Sequence, residues 1–225
     1  MSTPPPGQHY LERFPRFGLG RFANYGPAAP GSLHLSLKGD VSHPVELTKE
    51  DLASLESISL KADFHCVTTW SYSGLLWGGY RFVDFYRTIV QPRCRPEPAA
   101  RLVVFRAADG YACSLPLGDL LAEDVMLADR LNGESLGFDH GAPLRLVAPA
   151  HYGYKNVKHL VAIEFWRDAR HYRFPRPYPR FMDHPRARVA REERARWVPA
   201  WLIRPFYARL VQPTIARFER RRDGR

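Results

Sequence analysis

The sequence predicts an α+β fold, mostly β. Short runs of alternating apolar and polar residues recur along it, the helix-like runs between them are brief, and strands and helices do not alternate as in a doubly wound parallel sheet. Of 225 residues, 45% are hydrophobic, 13% aromatic and 25% charged. These are ordinary values for a globular chain able to bury a sizeable core. The length suits one domain plus an appendage.

Ser32-Leu-His-Leu-Ser-Leu-Lys38 has the alternation of a strand with one buried face, and Gly39-Asp40 supplies the turn after it. Thr48 to Leu55 reads as a short helix, with Asp51 three residues after Thr48 in a shortened capping box. Phe82 to Ile89 has helical spacing, with Phe82, Phe85, Tyr86 and Ile89 on one face, and Pro92 is expected to end it. Arg101 to Arg106 and Tyr111 to Leu115 read as two strands joined through the Asp109-Gly110 turn. Leu117 to Leu121 is a short helix; Val125 to Leu131, Leu144 to Val147 and Val161 to Trp166 are further strands. No repeat period, GxGxxG or P-loop pattern is present, so a nucleotide cradle of the familiar kinds is unsupported.

Charge divides the chain. Met1 to Trp166 carries 16 basic and 17 acidic residues, whereas Arg167 to Arg225 carries 17 basic residues, all Arg, and 6 acidic ones. The Pro-rich stretch Phe174-Pro-Arg-Pro-Tyr-Pro-Arg180 marks the join. The division expected is a body over residues 1–172 and a basic, partly helical extension over 173–225. No run of 18 apolar residues occurs, and Met1 to Gly20 lacks the apolar core of an export signal, which predicts a cytoplasmic chain. Cys66, Cys94 and Cys113 lie too far apart in sequence for a local disulfide or zinc motif.

Two stretches are candidates for chemistry. Cys66 sits in Ala62-Asp-Phe-His-Cys-Val-Thr-Thr-Trp-Ser71, ahead of Trp77-Gly78-Gly79. A lone Cys between apolar neighbours is most often a small core residue. The sharper reading is a thiolate ligand to a soft metal, whose remaining ligands would come from a cofactor or from distant residues. The second stretch runs from Leu131-Asn-Gly-Glu-Ser-Leu136 through Asp139-His-Gly-Ala-Pro-Leu-Arg-Leu-Val-Ala-Pro149 to His151-Tyr-Gly-Tyr-Lys-Asn-Val-Lys158. Arg145, flanked by Leu144 and Leu146, needs an anionic partner. Together with Lys155 and Lys158 it can hold a phosphate, although exposed Lys pairs are usually solvated surface. Gly153 lets the backbone approach a ligand.

Taken in order, the Asp-Phe-His-Cys-Val-Thr-Thr-Trp-Ser, Trp-Gly-Gly, Asp-Gly-Tyr, Leu-Asn-Gly-Glu, His-Gly-Ala-Pro-Leu-Arg and Tyr-Gly-Tyr-Lys-x-Val-Lys blocks resemble the sulfite oxidase-like molybdopterin-binding domain. The likeness runs from about Leu33 to Phe165, with echoes at His184-Pro-Arg-Ala-Arg188 and Glu192-Glu-Arg194. The family includes sulfite oxidases and the catalytic subunit of bacterial protein-methionine-sulfoxide reductase. The resemblance implies that fold and a molybdenum-molybdopterin cofactor. It makes Cys66 the metal thiolate, His140 and Arg145 contacts to the pterin and its phosphate, and Lys155 or Lys158 the phosphate lysine. His65 and Tyr154 join the cofactor-binding set from the same blocks, and Asn24, in Arg21-Phe-Ala-Asn-Tyr-Gly26, is an N-terminal contact.

The implied activity is oxygen-atom transfer at molybdenum on a small sulfur- or nitrogen-oxo substrate. The chain departs from its relatives by lacking room for a haem or dimerisation domain, which implies a monomer fed by a separate electron partner. It also carries Thr68 where the methionine-sulfoxide reductase subunit has Glu. The rival reading is a non-catalytic binding protein tethered to a membrane surface or an acidic partner by its Arg-rich tail. That tail, with Trp197, Trp201, Phe206 and neighbours among Arg residues, either packs back on the body or touches an anionic membrane surface; nucleic acid is the weakest partner, since no known module is present. Pro199, Pro205 and Pro213 are expected to break it into short helical pieces.

Overall fold

The computed structural model describes residues 3–23, 25 and 32–223. Among these, the strands in chain order are β1 (His9–Tyr10), β2 (Leu35–Gly39), β3 (Val45–Leu47), β4 (Ile58–His65), β5 (Trp70–Arg81), β6 (Leu102–Ala107), β7 (Ala112–Pro116), β8 (Met126–Leu131), β9 (Glu134–Ser135), β10 (Arg145–Val147) and β11 (Leu160–Trp166). One sheet runs β1-β5-β8-β10, with β4 also paired to β5 and β9 to β8; the other runs β3-β2-β11-β6-β7. Among the described residues, parallel pairing is confined to β1 with β5 and β2 with β11. The architecture is the α+β, mostly β fold that the sequence predicts.

The main core lies between the sheets. Leu35 and Leu37 of β2, Val103 and Phe105 of β6, Ile163 and Phe165 of β11 and Leu127 of β8 all enter it. They do so because alternate side chains of a strand share a face. On β8 the same alternation sends Met126 and Ala128 to a second apolar cluster with Leu75, Trp77 and Val147.

Three differences from the sequence expectations have physical causes. Helix α1 (Phe82–Phe85) does not stop at Pro92: it widens into a π-helix, Tyr86–Cys94, that carries Pro92 inside it. The wider turn closes through Arg95 N–H donating to the Val90 carbonyl at 3.1 Å, five residues back. The Thr48–Leu55 helix is a 3-10 segment, Glu50–Ser54, in which Asp51 accepts from the Thr48 amide at 2.8 Å. The β4–β5 hairpin is absent from the sequence expectations. Its first strand alternates Ile58, Leu60, Ala62 and Phe64 with polar residues, whereas Gly74, Gly78 and Gly79 dilute the pattern of the second.

After β11 come the short helix-like turns Arg180–Met182 and Val189–Arg191, then α3 (Ala200–Arg209) and α4 (Val211–Asp223), following α2 (Leu117–Leu120) earlier in the chain. Pro199 caps α3 and Pro213 lies in the first turn of α4, where prolines fit. Pro205 sits inside α3 without ending it. The extension packs on the body through Tyr207, Val211, Ile215 and Phe218, all buried.

Candidate functional site

Cys66 occupies the turn that joins β4 to β5. Its amide donates to the Trp70 carbonyl at 2.8 Å, and Thr69 closes the turn with a φ of 78°. The turn is held from both ends of the chain. Gln8 Nε2 donates to the Cys66 carbonyl at 3.0 Å, and the fully buried Arg194 donates through Nη1 to the Val67 carbonyl at 2.7 Å. The Cys66 sulfur lies 3.1 Å from the Thr68 hydroxyl. Burial pushes the thiol above its usual value, while the Thr68 hydroxyl pulls it back.

Cys66, Val67 and Thr68 form part of the wall of a cavity of about 400 Å³, within the ordinary range for small-molecule sites. Phe17 and Phe22 of the N-terminal segment, Tyr154 and Lys158 of the body, and Tyr207 and Phe218 of the tail also line it. Neither Cys94 nor Cys113 reaches it; both are fully buried in the main core. Among the described residues no group of three or more His, Cys, Asp or Glu side chains is arranged to hold a metal. A metal at Cys66 would need its other ligands from a cofactor.

Arg145 lies in a small adjoining pocket that shares Phe17, Phe64, Asn156 and Lys158 with the cavity. Strand alternation explains its position: Leu146 faces the main core, while Arg145 and Val147 face the other side of β10, and the guanidinium stands 4.8 Å from the centre of the Trp77 ring. Its hydrogen bonds go to the carbonyls of His140 at 2.8 Å, Asn156 at 3.2 Å and Leu146 at 3.4 Å. Among the described residues no carboxylate pairs with it. Burial alone pushes its pKa down to about 9. Lys158 donates to the carbonyls of Asp139 at 3.2 Å and Phe17 at 3.4 Å. Burial, then the neighbouring Arg145 and Arg16, push its ammonium down to about 7. Two cations crowded together at such cost are an anion site in waiting.

The other sequence-predicted residues divide. The His140 ring stacks on Phe14 at 4.8 Å and lines the Arg145 pocket. Tyr154 lines the cavity, with its hydroxyl accepting from the His184 amide at 3.0 Å. His65 turns toward the Ser71 hydroxyl at 2.8 Å and lines neither pocket. Lys155 departs furthest from the expectation that it joins Arg145 and Lys158. It is fully buried on the other side of its turn, donating to the Ser114 carbonyl and to Asp183, each at 2.9 Å. Gly153 also differs in its cause: a Cβ there would stand 2.2 Å from the Phe64 ring, so glycine makes room for an aromatic side chain. Asn24 lies outside the described residues.

Sequence reasoning missed Gln8, Arg16 and Tyr207, and marked Arg194 only within the Glu192-Glu-Arg194 echo of the family blocks. Tyr207 lines the cavity and is buried, and its hydroxyl has no hydrogen-bond partner among the described residues. Burial and then the Cys66 thiolate push it up to about 12. No local pattern announces Gln8, Arg16 or Tyr207, because each reaches the site across a long separation in sequence.

Residues 25–173 match the oxidoreductase molybdopterin binding domain family. The chain belongs to this family. It is 35% identical over 164 residues to the oxidoreductase YuiH of Bacillus subtilis, covering 73% of this chain and 79% of that one. To the sulfite oxidase of Arabidopsis thaliana it is 28% identical over 162 residues, covering 59% of this chain and 41% of that one. The solved structure of the sulfane dehydrogenase SoxCD from Paracoccus pantotrophus shares the fold, with a TM-score of 0.52 at 22% identity over 60% of this chain and 38% of that one. The chain thus spans less than half of the Arabidopsis and Paracoccus chains. As a family member it is a molybdenum-dependent oxidoreductase with a molybdopterin cofactor. The residues present fit that group: a thiol on a cavity wall, two crowded cations for a phosphate, and no competing side-chain metal cluster among the described residues.

Proposed function

We propose that Cys66 is the thiolate ligand of the molybdenum, and that the chain transfers an oxygen atom to or from a small sulfur- or nitrogen-oxo compound, with electrons exchanged through a separate partner. The observation that carries this reading is the meeting of Cys66 and Lys158 on one cavity, with Arg145 in the pocket beside it. Bound there, molybdenum supplies oxygen-atom transfer through its VI and IV states.

The chain's own residues bind, hold and tune. Arg145 and Lys158 bind the phosphate of the cofactor, and their charge is relieved by doing so. The Thr68 hydroxyl donates to the Cys66 sulfur and stabilises it as a thiolate, as outer groups do at other metal sites. Gln8 and Arg194 hold the turn carbonyls so that the sulfur keeps one direction. Tyr207 offers a hydroxyl donor to a substrate oxygen in the cavity, and Phe17, Phe22 and Phe218 limit its water. These features favour an enzyme over a degenerate binding module.

Dye-coupled turnover of sulfoxide and N-oxide substrates by protein carrying Cys66→Ser tests the reading. Loss of turnover with the pterin retained is expected. Turnover equal to the wild type would overturn the assignment of Cys66.

A further inference from the structure

The described residues with large apolar side chains exposed to solvent are concentrated in one place. Trp197, Trp201, Leu202 and Phe206 are 79%, 71%, 57% and 56% exposed, and two others, Leu76 and Val161, are exposed only near 40% in distant strands. Single exposed apolar residues are ordinary, whereas a contiguous group marks a surface that meets something. Helix α3 explains the grouping. Ile203 and Tyr207, four residues apart, face inward to a cluster with Ala195, and Trp201, Leu202 and Phe206 are thereby turned outward.

The sequence of this segment is one-sided in charge, although Glu192 reaches α3 from just before it and Arg217 belongs to the cavity wall. Between Glu193 and Glu219 the chain has no acidic residue, while it carries Arg194, Arg196, Arg204, Arg209 and Arg217. Arg194 is buried and Arg204 is held by Glu192 at 2.7 Å. Arg209 is exposed at the end of α3, and the Arg196 guanidinium stacks 5.2 Å from the Trp197 ring centre. Arginine forks pair with phosphate oxygens, and tryptophan settles at the level of lipid headgroups.

We propose that this face of α3, with Trp197 beside it, docks on the anionic surface of a lipid bilayer, lying in the interface plane. Among the described residues no helix is long and apolar enough to cross a membrane. Ten residues of α3 suffice to lie on one. The inward face of the same helix contributes Tyr207 to the cavity wall, so docking fixes that wall toward the membrane. The proposal stands apart from the redox reading and holds whether or not Cys66 binds a metal.

Sedimentation of the full chain with vesicles tests it. The wild type is expected to pellet with mixed phosphatidylcholine and phosphatidylglycerol vesicles, to stay in solution with phosphatidylcholine alone, and to show blue-shifted tryptophan emission when bound. The paired substitution Trp201→Ser and Phe206→Ser should weaken binding by about tenfold or more, and Arg209→Glu should weaken it severalfold and reduce its salt dependence. These side chains are exposed, so an unchanged unfolding midpoint serves as the folding control. The proposal is overturned if the wild type ignores anionic vesicles, if it pellets equally with neutral ones, or if the paired variant binds as well as the wild type. A wild-type dimer that the paired variant dissolves, with no vesicle binding, would assign the face to a second copy and overturn it equally.

Discussion

Lys155 Nζ meets Asp183 Oδ1 at 2.9 Å, with the lysine side chain wholly out of solvent and the aspartate nearly so. This contact ties the body to the extension, and the Ser114 carbonyl accepts a further bond from the same ammonium.

Removing one partner leaves the other as a buried lone charge, so Lys155→Ala or Asp183→Ala should destabilise the protein by about 3–5 kcal/mol. The double substitution Lys155→Met with Asp183→Leu should recover much of that loss. Urea unfolding of the three variants measures it; additive losses would show that the two groups do not act as a pair.

Much of the fold was legible in the sequence because strand alternation survives wherever one face is buried. β2, β6, β7, β8, β10 and β11 all fall near their expected places. The hairpin that carries Cys66 was hidden by the glycines of β5, which supply no side chain to alternate. Within the site, the flanking leucines predict an anionic partner for Arg145; in the structure its guanidinium donates to three backbone carbonyls and faces the Trp77 ring, and the anion remains part of the proposal. Lys155 and Lys158 illustrate the opposite limit. Three residues apart and chemically alike, they have different surroundings: Lys155 ends the 3-10 turn and pairs with Asp183, whereas Lys158 follows the turn and lines the cavity. Contacts from Gln8 and Tyr207 come from distant segments and leave no local mark, while Arg194 shows only in the Glu192-Glu-Arg194 echo, which does not tell what it touches.

Arg145 is costly in the protein without its anion. In protein from a host unable to make the pterin, Arg145→Met should be at least as stable to urea as the wild type. Pyrophosphate should raise the wild-type unfolding midpoint and leave that of the variant unchanged. A variant that is several kcal/mol less stable and still responds to pyrophosphate would contradict the anion role.

Lys158 gives the same cavity a pH dependence. Its ammonium is pushed down to about 7, below the ~10.4 of a free lysine. Between those values the unfolded chain holds one more proton than the folded one, so the stability of the cofactor-free protein should climb as pH rises from about 7 toward 10. Anion binding needs the charged form and should fall over the same interval. Sulfate keeps its charge throughout, so the sulfate-induced shift of the unfolding midpoint against pH reads the effect. Lys158→Met should flatten both trends; identical profiles would rule this lysine out.

The Thr68 hydroxyl lies 3.1 Å from the Cys66 sulfur and supports its thiolate form. Thr68→Val should therefore slow alkylation of Cys66 by iodoacetamide in the cofactor-free native protein, by about tenfold for each unit by which the thiol rises. Cys94 and Cys113 are fully buried and should stay unmodified until the protein unfolds. Mass spectrometry of alkylated peptides separates the three, and equal rates in the variant and the wild type would deny the hydrogen bond its part.

The metal content of the purified protein tests the central claim most directly. Expressed in a host that makes molybdopterin, the chain should carry about one molybdenum and one pterin per molecule, by elemental mass spectrometry and fluorescence of the oxidised pterin, and Arg145→Met should lose both. Protein from the same host that is folded yet free of metal and pterin would contradict the account.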